Sequence, residues 1–201
     1  RAATYEDLLA VPEPLVAEIL FGELVTHPRP APRHAHVVTR HSGLLGPPFD
    51  LRVGGPGAWV FLMEPELHLG EHVAVPDIAA WRIERLPQLP DTAWIEVAPD
   101  WLCEVLSPAT ESDDRGDKRL IYAAAGVTYV WHIDPMLRML EVYELKDGKR
   151  LLLDVLQDDA QCAAASFREI GFSLDLLWSL GPLPSTRGRP RKAAKRKRKR
   201  S

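Results

Sequence analysis

The segment Trp101 to Leu106 (WLCEVL) carries one carboxylate, Glu104, in the middle of an otherwise apolar run, and Ser107-Pro108 ends it. Proline disfavours helical dihedrals in the residue before it, so the run reads as a short strand that stops at Ser107. Side chains alternate along a strand, and Glu104 therefore points away from the face shared by Cys103 and Val105. A lone charge in an apolar core is strongly unfavourable. Glu104 must face a cleft, meet a cation, or sit at an exposed sheet edge, and structural ion pairs place acids in strands as well.

A second apolar run, Val73 to Ala80 (VAVPDIAA), is also a strand with an acid inside, Asp77, directly after Pro76. By itself that position equally suits a turn or bulge. The polar stretch Pro108 to Asp117 (PATESDDRGD) reads as a loop, and Lys118 opens an apolar segment through Leu120, Ile121 and Tyr122 that Gly126 closes as a helix. Asp113, Asp114 and Asp117 are candidate caps or first-turn acids of that helix. Strand, loop and helix bring Lys118 back toward the end of the strand carrying Glu104, although a solvated lysine is the ordinary reading of Lys118 alone. Val127 to Ile133 forms a further strand stopped by Asp134-Pro135, and Arg138 to Leu145 with Arg150 to Leu156 forms a hairpin.

Two carboxylates and a lysine beside strand ends are the components of metal-assisted phosphodiester cleavage. Mg²⁺ takes oxygen ligands and keeps several waters, so Asp77 and Glu104 suffice to hold it, with Mn²⁺ an alternative. Lys118 would orient the attacking water or stabilise its deprotonated form. The histidines offer rival chemistry: His34, His36 and His41 cluster after Pro32, and His68 and His72 are four apart. Gly70 and strand-like surroundings weaken a helical zinc pair, and no H-E-x-x-H or cysteine cluster supports one. Gly54 to Gly57 lacks the Gly-Lys-Ser/Thr ending of a phosphate loop and reads as a turn.

Pro76-Asp77-Ile78, Glu104-Val105-Leu106-Ser107-Pro108, Asp113 through Lys118 followed by Tyr122, and Gly126-Val127 through Trp131 to Asp134-Pro135 occur in one order along the chain. In that order and spacing they resemble a bacterial family of restriction endonucleases within the PD-(D/E)XK, restriction-endonuclease-like superfamily. Glu18 to Val25 (EILFGELV) and Pro30 to His34 (PAPRH) resemble its earlier segments, so the likeness spans roughly residues 4 to 180. The resemblance implies an α/β fold with a central mixed sheet flanked by helices, and metal ligands at Asp77 and Glu104. The superfamily's usual lysine lies two residues after the second acid, where this chain has Leu106; the resemblance implies that Lys118 replaces it from the following helix. Glu18, in the first helix or the turn after it, is a further candidate ligand or base by the same analogy, with a surface acid as the alternative. His34 occupies a family-like position. Restriction enzymes often act as dimers, so a homodimer is expected by analogy.

The end of the chain carries a separate signal. Arg187-Gly188-Arg189-Pro190-Arg191-Lys192 resembles an AT-hook, in which glycine allows close backbone approach, proline fixes an extended path, and arginines enter a narrow A·T minor groove. Lys195 to Arg200 (KRKRKR) adds phosphate contacts, and a generic basic tail fits the composition too. Residues 187–201 hold ten of the 25 Lys and Arg and none of the 28 acids, so fifteen basic residues face all 28 acids in the body. The near-neutral total of −3 thus conceals an acidic body and a basic arm. The expected organisation is a nuclease-like domain at 1–181 and a disordered tail at 182–201. Two cysteines and no long apolar span favour a reducing cytoplasm and no membrane contact. The function expected is a metal-dependent DNA endonuclease. The alternative is a catalytically degenerate DNA-binding or scaffolding protein on a nuclease fold, which Leu106 favours and the trio Asp77, Glu104 and Lys118 opposes.

Overall fold

The computed structural model describes residues 1–180. The basic motif at Arg187 to Lys192 and the boundary expected at 181/182 lie outside the described residues. A six-stranded mixed sheet forms the centre. Its strands are β3 (Trp59–Met63), β6 (Ile78–Arg82), β7 (Trp101–Val105), β8 (Tyr129–Asp134), β9 (Met139–Lys146) and β10 (Lys149–Gln157), in the order β10-β9-β8-β7-β6-β3. All neighbours are antiparallel except β7 and β8, which run parallel. A parallel pair requires a crossover, and the polar loop and helix read from the sequence supply it. The loop is partly ordered: α3 (Glu111–Arg115) precedes α4 (Asp117–Ala124).

A second, four-stranded sheet is built from β1 (Leu15–Leu20), β2 (Glu23–Pro28), β4 (Leu67–Leu69) and β5 (His72–Ala74), in the order β2-β1-β5-β4. It corrects two expectations. Glu18 lies on strand β1 and not on a helix, because Phe21 and Gly22 both take positive φ and fold β1 back on β2 as a hairpin. The run Val73 to Ala80 is two strands in different sheets, β5 and β6, broken at Pro76, which leaves Asp77 at the crossing between them. His68 and His72 fall on β4 and β5, which excludes a helical metal pair.

Strand alternation sorts the central sheet into two cores. On one face Ile78, Ala80, Trp101, Cys103, Val105, Trp131, Ile133 and Val142 pack against α2 (Pro32–Phe49) and Phe167. On the other, Ala79, Trp81, Leu102, Val130 and Tyr143 pack against α4 and the small sheet. Glu104 belongs to this second face, opposite Cys103 and Val105, as its alternation requires. Helix α4 ends in a Schellman motif: Val127 N–H donates to Tyr122 C=O and Gly126 N–H to Ala123 C=O, with Gly126 at φ 80°. Between α3 and α4, a Cβ on Gly116 would lie 2.7 Å from the Ser112 carbonyl oxygen, so only glycine allows the tight break there. Among the described residues no helix is long and apolar enough to cross a membrane.

His41 sits in the first core with ring centroids 5.6 Å from Trp101 and 5.5 Å from Trp131, and neither ring nitrogen finds a partner among the described residues. Burial pushes it down to about 3 from an ordinary 6.5. A histidine neutral in the fold takes up a proton only on unfolding, so its contribution is full above about pH 6.5 and is lost as pH falls toward about 3. In urea titrations, wild type is expected to lose about 1.4 kcal/mol per pH unit through this residue across that window. His41→Leu should flatten the slope by one proton.

Candidate functional site

The break at Pro76 and the end of β7 bring Asp77 beside Glu104. The Asp77 backbone N–H donates to Glu104 Oε2 at 3.3 Å, and Asp77 Oδ2 accepts from the Val105 N–H at 2.7 Å. These two bonds lock the carboxylates to each other's strand. His34, near the start of α2, places Nε2 at 3.1 Å from both Asp77 carboxylate oxygens. The proline at the first position of α2 sets the helix start, which aims His34 at the strand ends.

Lys118 completes the cluster. It stands on the first turn of α4 yet is 3 % exposed, and its Nζ lies 2.8 Å from Glu104 Oε1, 3.2 Å from Glu18 Oε1 and 3.2 Å from Asp114 Oδ1. The solvated-lysine reading therefore fails. Tyr122 Oη donates to Glu104 Oε1 at 2.7 Å, and Glu18 accepts from the Val75 N–H at 2.7 Å and meets His27 Nε2 at 3.2 Å. All four sequence candidates in the body, Glu18, Asp77, Glu104 and Lys118, line one cavity of about 60 Å³ together with His27, His34, Ser107, Thr110 and Asp114. The six candidates Arg187 to Lys192 lie outside the described residues. Leu106 is buried and takes no part in this cavity.

Three members of the site, Asp114, His27 and Tyr122, are given no role there by the sequence, although Asp114 and Tyr122 fall in the family-like segment. Asp114 is 2 % exposed, so it is a buried partner of Lys118 and not a cap. A signal exists as spacing: Asp114, Lys118 and Tyr122 recur every four residues, one side of a helical turn. Reading the stretch before Lys118 as loop conceals it.

Charge in the cavity is unbalanced. Five carboxyl groups, the exposed Glu64 among them, face one lysine and two histidines, so with all five ionised negative charge is in excess even with both histidines protonated. Burial pushes Glu104 well above the usual carboxylate range; Lys118 pulls it down, while Asp114, Asp77 and Glu18 add to the rise. Asp114 is raised by burial against the pull of Lys118. Burial would lower Lys118, but Glu104, Glu18 and Asp114 hold it well above its ordinary value, and it stays cationic. Burial would also raise Glu18, yet Lys118, His27 and the Val75 N–H hold it at about 2. His27 rises through its bond to Glu18, and His34 rises because Asp77 outweighs its burial.

Such a cavity suits a small cation. No three His, Cys, Asp or Glu side chains among the described residues converge into a closed protein cage. The donor set thus differs from a zinc-type structural site and fits Mg²⁺, which is commonly held by one or two carboxylates and its own waters. The volume leaves room for an ion and about one water at roughly 30 Å³ each.

The profile of the Uma2 family, described as "Putative restriction endonuclease", matches residues 2–177. Among solved structures, a protein of Anabaena variabilis described as a "putative nuclease belonging to DUF820" is similar at 25% identity and a TM-score of 0.65, covering 88% of this chain and 97% of that one. A search of curated proteins finds no match.

Removing the Lys118 charge leaves three buried carboxylates without their shared cation. Lys118→Met is expected to destabilise the fold by about 3–5 kcal/mol in urea unfolding. The double variant Lys118→Met with Glu104→Gln should lose less than the sum of the singles, because the second change removes a charge the first had stranded.

Proposed function

The chain belongs to the Uma2 family, and on that premise we propose that it is a metal-dependent endonuclease that hydrolyses phosphodiester bonds in DNA. The observation that carries the reading is the convergence of Asp77, Glu104 and Lys118 at one acidic cavity. Asp77 and Glu104 would hold Mg²⁺ or Mn²⁺. When bound, the ion would lower the pKa of a coordinated water and neutralise charge on the phosphate. Lys118, fixed as a cation with its three N–H groups directed at three carboxylates, would stabilise hydroxide through its charge and would not act as the base. Glu18, held near pKa 2, is a poor proton acceptor, so its role is to position Lys118. His34 holds the Asp77 carboxylate from outside the pair. The water would lose a proton to solvent as its oxygen bonds to phosphorus, the bond from phosphorus to the leaving ester oxygen would break, and that oxygen would take up a proton from solvent, with no covalent enzyme intermediate formed.

The superfamily's strand lysine is Leu106 here, which favours the second reading of a degenerate DNA-binding module. The 2.8 Å approach of Lys118 Nζ to Glu104 supports the first, since it supplies the same charge from a helix. The basic stretch Arg187 to Lys192, with Lys195 to Arg200, is assigned to DNA binding: an acidic body repels nucleic acid away from its site, and a basic arm supplies the attraction.

Wild type is expected to nick supercoiled plasmid with Mg²⁺ or Mn²⁺ and not with chelator. Asp77→Asn, which keeps the shape of the side chain, should lower the rate at least about 100-fold, an effect typical of losing one electrostatic catalytic group. No cleavage by wild type under any divalent cation would support the binding module, and cleavage surviving Asp77→Asn would displace the site. Independently, deletion of 187–201 should weaken DNA binding and reduce the slope of log affinity against log salt by several units, at about 0.9 for each phosphate no longer neutralised.

A further inference from the structure

Helix α2 differs in charge from the body around it. Its 18 residues include Arg33, Arg40 and three histidines but no acid, although all 28 acids of the chain lie before residue 187. Arg33, His36 and Arg40 are three and four residues apart and so share one side of the helix. Arg33 Nη1 donates to Met136 Sδ at 3.3 Å, and Arg40 Nη2 donates to the Ser179 carbonyl at 3.5 Å. The stripe thus runs from the helix start, where His34 meets Asp77, to Leu180, the last described residue.

A cavity of about 350 Å³ opens beside this stripe, lined by Arg33, His36, Arg138, Trp178 and Leu180 among others and by no carboxylate. A second hollow, lined by Ser107, Met136 and Leu137, adjoins the catalytic cavity through Ser107, which lines both. The turn between β8 and β9 is the ridge that separates the two hollows. Asp134 Oδ1 accepts from the Met136 N–H at 2.8 Å and the Leu137 N–H at 2.9 Å, which fixes the turn, yet Met136 and Leu137 are 66% and 61% exposed. The carboxylates nearby are engaged or set aside. Asp134 is spent on that turn, Glu111 pairs with Arg115 at 2.9 Å, and Asp158, whose N–H donates to the Arg138 carbonyl, does not line the basic cavity.

We propose that the start of α2 and the β8–β9 turn form a DNA-backbone subsite beside the cleavage centre: Arg33 and Arg138 hold phosphates flanking the scissile one, and Met136 and Leu137 pack on the sugars and bases between. The scissile position rests on the nuclease reading; the DNA contact does not. Planar guanidinium groups match phosphate oxygens, and fixed, exposed apolar side chains suit the faces of sugar and base. The basic end of the chain has the same sign as this cavity and is repelled from it. Arg187 is only seven residues beyond Leu180, at most about 25 Å of extended chain, so arm and subsite can engage one duplex. Together they supply the attraction that the acidic cavity withholds.

Fluorescence anisotropy of a labelled duplex with the full chain, in chelator so that no strand is cut, tests the proposal. Arg33→Gln with Arg138→Gln should weaken binding on the order of ten-fold and lower the slope of log affinity against log salt by about 2, one for each phosphate contact. Both arginines are exposed, so circular dichroism of the variant should match wild type. Arg33→Lys with Arg138→Lys should keep the slope, and Met136→Ser with Leu137→Ser should lose affinity at an unchanged slope. Lys146→Gln with Lys149→Gln removes the same charge at the other end of β9 and should change neither. With Mg²⁺, the glutamine pair should raise KM for plasmid nicking and leave kcat unchanged. A wild type that binds through this surface but does not nick would overturn the nuclease reading and not the subsite. An arginine pair that binds as wild type, or a lysine control that loses as much, would overturn the subsite. So would a glutamine pair that alters only the sedimentation of the chain, which would assign the surface to a second copy.

Discussion

The fold and its site depend on one buried ammonium. Lys118 Nζ is shared by Glu18 from the small sheet, Glu104 from the central sheet and Asp114 from the helix before it. Among the described residues, no other side chain of the cavity bonds to all three parts. Desolvating four charges is costly, and attraction in a low-dielectric interior offsets the cost only when geometry and hydrogen bonding are both good. Here Tyr122, His27 and the Val75 N–H fill the remaining acceptor positions. Even so, the carboxylates outnumber the cations. A fold optimised only for stability would not leave Glu104 and Asp114 both raised by burial beside Asp77. The deficit of positive charge is what a divalent ion and a phosphate-processing site would use.

Much of this is legible in the chain because burial and charge conflict visibly in a short apolar run. Glu104 inside WLCEVL and Asp77 after Pro76 stand out, and strand alternation correctly turns Glu104 from the aromatic core toward the cavity. Tertiary placement is less legible. Glu18 is expected in the first helix or the turn after it only by analogy, and the short β1 has no period of its own that separates strand from helix. Only the positive φ at Phe21 and Gly22 decides it. Asp114 sits among polar neighbours whose capping propensities match its own, so its burial arises from the Gly116 break, which rotates α3 onto the cavity. His34 stands out by position, but its bond to Asp77 reaches across 43 residues, and no local rule specifies it.

The distribution of charge ties the parts together. An acidic cavity in an acidic body would attract a cation and repel a polyanion, so on the proposed nuclease reading the attraction for DNA has to come from elsewhere. The basic stretch beyond residue 186 is suited to that. Membership of the Uma2 family agrees with the fold and with a nuclease-type site, while Leu106 marks where this chain departs from the superfamily's basic motif. On the proposed reading Lys118 takes the strand lysine's part from a helix, where its position depends on Gly116, Asp114 and Glu18 together.

On the proposed reading, Asp77 and Glu104 form a divalent-cation site with Lys118 retained beside it. A crystal structure grown with Mn²⁺ and measured for anomalous scattering tests it most directly. One peak is expected within coordination distance of both Asp77 and Glu104, about 2.0–2.2 Å, with Lys118 Nζ still on Glu104. Saturating Mn²⁺ with no peak between the two carboxylates, or an ion bound only after Lys118 has left the cavity, would contradict it.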